Sequence, residues 1–506
     1  MLELKNIKIS LKNDGRQLVD DFSFTLKSGD KAVIIGEEGN GKSTLLKFIY
    51  NRELVDSYCD WEGNVVTKSK LAYLPQTMDE RHYEKTLAEY FEETEYYLYT
   101  DILAQLGLSL EFILSEQKLG TLSGGEKVKV QLARLCMDAP DILLLDEPTN
   151  DLDISTLNWL EKFISRSRLP ILFISHDETL IENTANVILH MEQLIRKTTC
   201  RISVARCPYR EYLSNRRNRF AHQQQVAQKQ RDDYDKQMEK WKQIYNRVDR
   251  EQRAITRQDP GGGRLLKKKM HSVLSMGKRF EREKENFIDF PEQEEAILTK
   301  FDEKLSLPSG KTVLSFSLDA LHVDNRCLSQ DIQLTVSGKE HIGITGRNGA
   351  GKSTLLALLW KEIKDRQDII PAYMPQNYQE VLDFGKTPIQ YLAENYTKEE
   401  VTKARTYMGS MRFTHEEMTG KIQNLSGGQR AKILFLDMVL KGANVLLLDE
   451  PTRNFSPLSG PVVRNALKNF GGAIISVSHD RKYLQEVCTT VYELTETGLH
   501  KIAYDK

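Results

Sequence analysis

The sequence predicts an α/β protein made of two tandem copies of one parallel-sheet domain, joined by a long antiparallel helical hairpin. Three observations carry this expectation. A short apolar run leading into G-x-x-x-x-G-K-S and then a helical run occurs twice, once in each half of the chain. Further short motifs follow both copies in the same order, so the halves are an internal repeat. Between them lies a charged stretch, residues 216–287, with apolar residues at heptad spacing on both sides of a Pro-Gly break. At 506 residues the chain has room for about three domains. The expected boundaries are 1–213, 214–290 and 291–506.

The first copy opens with Lys31-Ala32-Val33-Ile34-Ile35, a buried-strand pattern running directly into Gly36-Glu37-Glu38-Gly39-Asn40-Gly41-Lys42-Ser43-Thr44 and the helical run Leu45-Leu46-Lys47-Phe48. This is a phosphate-binding loop in its required context. Gly36, Gly39 and Gly41 free the backbone to close its N–H groups around phosphate oxygens, and the helix behind adds its positive end. Lys42 would reach the β- and γ-phosphates, Ser43 would ligate Mg²⁺, and Thr44 completes the loop. Asp141-Ile142-Leu143-Leu144-Leu145-Asp146-Glu147 reads as a buried strand ending in two carboxylates. Asp146 fits the Mg²⁺ side and Glu147 the polarisation of the attacking water. Gln76, Leu122-Ser123-Gly124-Gly125-Glu126 and Ile174-Ser175-His176-Asp177 complete the set.

The second copy repeats it as Gly346-Arg347-Asn348-Gly349-Ala350-Gly351-Lys352-Ser353-Thr354, Gln376, Leu425-Ser426-Gly427-Gly428-Gln429, Asp449-Glu450 and His479. The signature serines, the aspartates and the histidines are each 303 residues apart, whereas the lysines differ by 310 and the glutamines by 300.

This ordered set resembles an ABC-type ATPase, so the expected fold is two tandem ABC nucleotide-binding domains. The resemblance implies ATP and Mg²⁺ as ligands. Gln76 and Gln376 would lie at the metal beside Ser43, Asp146, Ser353 and Asp449. His176 and His479 would serve as catalytic switch residues with Glu147 and Glu450. Ser123 and Gly125 would hold the γ-phosphate of nucleotide on Lys352, and Ser426 and Gly428 that of nucleotide on Lys42. One chain then supplies both faces of two composite sites, as a monomer with intramolecular pairing. The halves differ after the carboxylates: Asp146-Glu147-Pro148-Thr149-Asn150-Asp151-Leu152-Asp153 against Asp449-Glu450-Pro451-Thr452-Arg453-Asn454-Phe455-Ser456-Pro457-Leu458-Ser459. Ser456 stands where Asp153 does, and this loop crosses to the opposite site, so unequal turnover is expected. Neither P-loop has an obvious aromatic upstream to stack on adenine.

The linker reads as two heptad seams: Tyr234, Met238, Trp241, Tyr245 and Val248, then Leu266, Met270, Val273, Phe280 and Phe287, with Gly277 and Lys284 in weak slots. Residues 215–256 as one helix would span roughly 60 Å. Gly261-Gly262-Gly263 reads as a flexible turn. The formal charge of the chain is −1, but residues 211–290 carry 20 Lys/Arg against 12 Asp/Glu, a net of +8 that leaves −9 for the rest. Residues 241–280 carry 11 against 3, so the excess sits near the tip and suits a polyanion. Arg253, Arg257, Arg264, Lys267, Lys268 and Lys269 are the candidate RNA-binding residues. Trp241, Tyr245 and His271 fit either the helical seam or stacking on unpaired bases.

Six scattered cysteines without a C-x-x-C pair argue against a zinc site or a disulfide framework. No apolar run reaches the ~18 residues of a membrane span, and a cytoplasmic protein is expected. Two ABC halves, no membrane segment and a long helical linker resemble the ABC-F group. That resemblance implies a 70S ribosome partner, entry at the exit-tRNA site, and a linker reaching 23S rRNA and P-site tRNA. The 450–459 run and the tip resemble the subset that protects ribosomes from lincosamides, streptogramin A and pleuromutilins. Gln76 to Ser123 spans 47 residues and Gln376 to Ser426 spans 50, leaving no room for the arm often inserted in housekeeping factors of the group. A housekeeping factor and a transporter ATPase remain the alternatives.

Overall fold

The computed structural model describes residues 1–92, 94–150, 152–194, 199–254, 260–290, 306–323, 326–393 and 395–503. Asp151 and Arg257, named above, lie outside the described residues.

Runs such as Lys31-Ala32-Val33-Ile34-Ile35 and Ile142-Leu143-Leu144-Leu145-Asp146 are buried at every position, so they form central strands covered on both faces. In the first half the strands are β1 (Leu2–Leu11), β2 (Gln17–Leu26), β3 (Lys31–Ile35), β4 (Cys59–Thr67), β5 (Leu71–Leu74), β6 (Ile142–Asp146), β7 (Ile171–Ile174), β8 (Val187–Leu194) and β9 (Thr199–Ala205). The main sheet has the order β5-β6-β7-β3-β8-β9, parallel except for the β9 edge. In the second half, β10 (Thr312–Val323), β11 (Arg326–Ser337), β12 (His341–Thr345), β13 (Pro371–Met374), β14 (Val445–Asp449), β15 (Ala473–Val477), β16 (Thr490–Thr495) and β17 (Gly498–Ile502) repeat it as β13-β14-β15-β12-β16-β17. The doubly wound α/β arrangement of both halves agrees with the expected fold class.

Beside each main sheet sits an antiparallel layer, β2-β1-β4 in the first half and β10-β11 in the second. Leu2 and Leu4, then Ile7 and Ile9 after a bulge that shifts the phase by one residue, make β1 a half-buried strand. Among the described residues the second half has no third strand in this layer, which matches its shorter interval from P-loop lysine to glutamine. Lys42 to Gln76 is 34 residues and Lys352 to Gln376 is 24, and the nine-residue β4 falls in the longer interval.

Residues 210–293 form a separate compact unit. Its first helix belongs to the continuous run Tyr209–Ala254, 46 residues and so about 70 Å long. This helix starts earlier than the expected residue 215. The second helix is Pro260–Glu285. The turn assigned to Gly261-Gly262-Gly263 is corrected: these glycines form the first helical turn. Pro260 at the first position explains it, because its fixed φ suits a helix start and its missing N–H has no intrahelical partner to lose.

Ala227, Val248, Leu266, Val273 and Phe280 are buried along the seam, and Tyr234 meets Phe287 edge-on at 5.4 Å between centroids. Trp241 stacks on Tyr245 and donates its indole N–H to Val273 O at 2.8 Å, which places both aromatics in the hairpin seam. Gly277, a weak slot by heptad reading, lies under that indole. A Cβ there would meet Trp241 Cζ2 at 3.0 Å and Cε2 at 3.1 Å. Replacing Gly277 with Leu is therefore expected to destabilise the hairpin by about 1–3 kcal/mol through overpacking. Urea unfolding followed by far-UV helical signal would register it, and an unmoved midpoint would exclude this packing.

Candidate functional site

Because β6, β7 and β3 are parallel neighbours, their carboxyl ends bring Asp146-Glu147, His176 and the first P-loop to one rim. The order β14-β15-β12 does the same for Asp449-Glu450, His479 and the second P-loop. Gly36, Gly39 and Gly41, like Gly346, Gly349 and Gly351, all have positive φ. A Cβ on Gly346 would meet Leu494 O at 2.6 Å, so glycine is required where this loop crosses the sheet. Lys42 Nζ donates to Gly36 O at 2.8 Å and Glu37 O at 3.1 Å, and Lys352 Nζ donates to Gly346 O at 3.0 Å and Arg347 O at 2.9 Å. Each ammonium thus caps the carbonyls of its own cradle and is aimed at its centre.

Behind the first loop, Ser43 Oγ donates to Asp146 Oδ1 at 2.8 Å and Tyr73 OH donates to Asp146 Oδ2 at 3.0 Å. Burial raises the Asp146 carboxyl despite those two donors. Ser353 bonds Asp449 in the second site, where burial again raises the carboxyl. Each pair is a hydroxyl and a carboxylate of the kind that holds Mg²⁺. Gln76 and Thr44 line a cavity of about 380 Å³ with Lys42, and Gln376 and Thr354 line one of about 520 Å³ with Lys352. Leu11, Arg16 and Leu18 stand on the first cavity wall, and Val323 and Leu328 on the second. These side chains, not aromatics, form the walls beside the two P-loops.

The signature serines have a local reason as well as an expected ligand role. Ser123 caps the helix Gly124–Met137 and Ser426 caps Gly427–Leu440, each in a reciprocal capping box with Glu126 or Gln429. Gly124 faces the cavity that holds Lys352. Gly125 is buried, and a Cβ there would meet Thr156 Oγ1 at 2.9 Å. At the other site Gly428 N–H donates to the Glu38 carboxylate of the first P-loop. The two halves therefore do meet P-loop to signature.

The carboxylates that end β6 and β14 are held in a strained conformation. Glu147 and Glu450 have φ of 48° and 50°, and their N–H groups are fixed to Ile174 O at 3.1 Å and Val477 O at 2.9 Å. Their surroundings differ. His176 Nε2 lies 3.0 Å from Glu147 Oε1, and its Nδ1 meets Phe455 O of the opposite half at 2.8 Å. Burial pushes Glu147 up, but the imidazole charge outweighs it and holds the carboxyl below its ordinary range; the same pairing holds His176 above its own. Glu450 accepts instead from the backbone N–H of His479 at 3.1 Å. Burial and the neighbouring Asp449 push it up to about 8, while burial and Lys352 bring His479 down to about 4.

The loops after the carboxylates also diverge. Asp153 caps its own helix through Thr156 N–H at 2.8 Å. In the second half the helix begins later, at Gly460, and Ser456 Oγ donates across to Glu37 Oε1 at 2.7 Å, joined by Ser459 Oγ. Ser456 thus lies at the site built on Lys42, where the sequence placed its influence. Burial opposes ionisation of Glu37, yet Lys432 and the two serines bring its carboxyl below the ordinary range. Tyr209 OH donates to Pro457 O at 3.2 Å, tying the start of the long helix to this same loop.

Sequence reasoning did not single out Tyr73, Glu37 or Glu38. Two acidic residues inside a phosphate loop were the available signal for the latter pair. In the hairpin, Arg253, Arg264, Lys267, Lys268 and Lys269 are exposed. Arg253 pairs with Asp249 at 3.0 Å, and the other four make no ion pair among the described residues.

The sequence matches the family described as "ABC transporter" over residues 19–150 and 329–453. "ABC transporter F family member 2" of Arabidopsis thaliana is 25% identical, over 98% of this chain and 77% of its own length. "Probable ATP-binding protein YheS" of Escherichia coli (strain K12) is 28% identical, over 96% of this chain and 77% of its own. A solved structure of an archaeal ribosome recycling factor, aABCE1, in complex with the ribosomal stalk protein aP1 superposes with a TM-score of 0.60 at 15% identity, covering 98% of this chain and 90% of that one. That last likeness is one of fold.

Proposed function

The chain belongs to the ABC transporter family and is an ATPase; from that premise we propose that it acts as an F-group member on the ribosome, protecting the peptidyl-transferase centre from lincosamides, streptogramin A and pleuromutilins. The observation that carries this reading is the hairpin tip, where Arg264, Lys267, Lys268 and Lys269 stand exposed on an otherwise acidic chain. The F-family name of a relative matched along the whole chain supports it. A transporter subunit would use the same catalytic rim but would leave this tip without a role.

In the proposed cycle ATP bridges Lys42 to Ser426 and Gly428, and Lys352 to Ser123 and Gly125, closing the halves. Mg²⁺, held by Ser43 and Ser353 with Asp146, Asp449, Gln76 and Gln376 around it, would neutralise phosphate charge as the leaving group departs. Glu147 and Glu450 orient and deprotonate the attacking water, with His176 and His479 beside them. Tyr209, bonded to the loop after Glu450, links closure to the first residue of the long helix. The closed form enters at the exit-tRNA site, and the basic tip meets 23S rRNA and P-site tRNA. Hydrolysis reopens the halves and releases the protein. ATP and the ribosome must both favour the closed state for this coupling to work.

The test is translation in vitro with lincomycin, a pleuromutilin or a macrolide present. Rescue from the first two is the expected result. ATP-dependent ribosome binding without rescue from any drug would make the protein a translation factor of the same group. Replacing Lys267, Lys268 and Lys269 together with Gln is expected to reduce the salt slope of ribosome binding by about 2–3, roughly one for each phosphate no longer neutralised. An unchanged slope would remove the tip from the interface.

A further inference from the structure

The first P-loop carries two acids, Glu37 and Glu38, where the second carries Arg347 and Asn348. Carboxylates in a cradle for phosphate oppose its chemistry, and the structure shows what each one holds. Glu37 is engaged by Ser456, Ser459 and Lys432 of the opposite half. Glu38 faces the cavity beside Lys42 and accepts the Gly428 N–H, at the start of the 14-residue helix Gly427–Leu440. Its carboxylate also lies against Gly427, where a Cβ would meet Oε2 at 3.1 Å and Oε1 at 3.2 Å. A Cβ on Gly428 would meet Asn454 O at 2.7 Å, so this glycine is fixed in place from its other side.

We infer that Glu38 is an intramolecular competitor of the γ-phosphate, latching the first P-loop to the opposite signature until nucleotide displaces it. The inference rests on the proposed reading of these loops as nucleotide sites. The Gly428 N–H and the helix N-terminus behind it suit one anion at a time. A γ-phosphate seated on Lys42 and Gly428 requires the carboxylate to swing out, and the displaced charge then still faces the phosphate. The site on Lys352 bears no such burden, because Asn348 is neutral. The two sites therefore load in order, Lys352 first, and Glu38 keeps the halves in register at the later one.

The probe is the non-hydrolysable analogue AMP-PNP, titrated calorimetrically against the full chain. In a Lys352→Ala background, where only the Lys42 site loads, Glu38→Gln keeps an acceptor for Gly428 N–H and removes the charge. It is expected to tighten binding about tenfold, the factor that one like-charge contact at a partly solvated site represents. Asn348→Glu in a Lys42→Ala background should weaken binding by a similar factor. Equal or weaker binding by the Glu38→Gln chain overturns the inference. The lysine substitutions separate the latch from the site beneath it. If each removes one equivalent of analogue and Glu38→Gln changes nothing, Glu38 alone has been misread. If neither removes an equivalent, the nucleotide sites themselves are misassigned and the latch falls with them.

Discussion

Replacing Glu147 and Glu450 together with glutamine is expected to lower steady-state ATP hydrolysis by roughly 10²–10⁴-fold, the worth of a positioned general base, while ATP still binds. The substitution keeps size and leaves the backbone bonds to Ile174 and Val477 in place, so the strained turn at each carboxylate persists. In the proposed cycle the ground-state contacts to nucleotide come from the P-loops and signatures, which the change does not touch. The single variants should separate by pH. With Glu147→Gln, hydrolysis depends on Glu450, which burial and Asp449 hold up to about 8. A carboxyl with a raised pKa is protonated below that value and cannot accept a proton from water. Its kcat/KM, which reports groups of the free enzyme, should climb about tenfold per pH unit towards pH 8 and then level. With Glu450→Gln, the working carboxylate is Glu147, held low by His176 at 3.0 Å, so its profile should be flat from pH 6 to 8. Identical profiles for the two variants would refute the assignment of different charge states. A double variant that still hydrolyses at the parental rate would remove both glutamates from the reaction.

The repeat and the nucleotide motifs were legible because their chemistry is local. A glycine loop must follow a strand and open a helix, and the acids must end the strand beside it, so sequence order alone places them on one rim. The same logic reached Ser456, since a loop that crosses to the opposite site carries its substitution there. The antiparallel layer was a different case. Leu2/Leu4 and Ile7/Ile9 each alternate but are out of phase with one another, and only the bulged pairing with β2 and β4 lets all four be buried. The Gly261-Gly262-Gly263 segment was misread because glycine weakens a helix by about 1 kcal/mol per residue, a cost that Pro260 and the seam beyond it overcome. Least legible were contacts between the halves. Glu38 and Gly428 are 390 residues apart, and nothing in either motif announces that the carboxylate meets that N–H.

The same limit applies to the ion pairs that join the halves behind His176 and His479. Arg464 is buried, with Nη2 2.7 Å from Glu178 Oε2 of the first half and Nε 2.8 Å from Glu486 Oε2 of its own. Lys482 reaches Glu178 at 3.0 Å, and Arg481 reaches Glu161 at 2.8 Å and Asp177 at 3.4 Å. Across this junction the acids Glu161, Asp177 and Glu178 come from the first half and the cations from the second. The repeat makes the sign reversal explicit, because Glu178 follows His176 at the spacing at which Arg481 follows His479. Two first halves paired with each other would set acid against acid, so the junction specifies the heterologous pairing within one chain. Replacing Arg464 with Met should cost about 1–3 kcal/mol, because buried Glu178 loses one of its two cationic partners and keeps Lys482, while Glu486 is partly exposed. With Glu178→Gln already in place the Arg464 replacement should cost less, since the charge that Arg464 pairs with is gone. The first thermal transition of the full chain, followed for the parent, both single variants and the double, closes the cycle. Additive shifts would mean that Arg464 and Glu178 do not interact. Coupling, with Arg464→Met the more damaging single change, would establish the pair as a joint between the two halves.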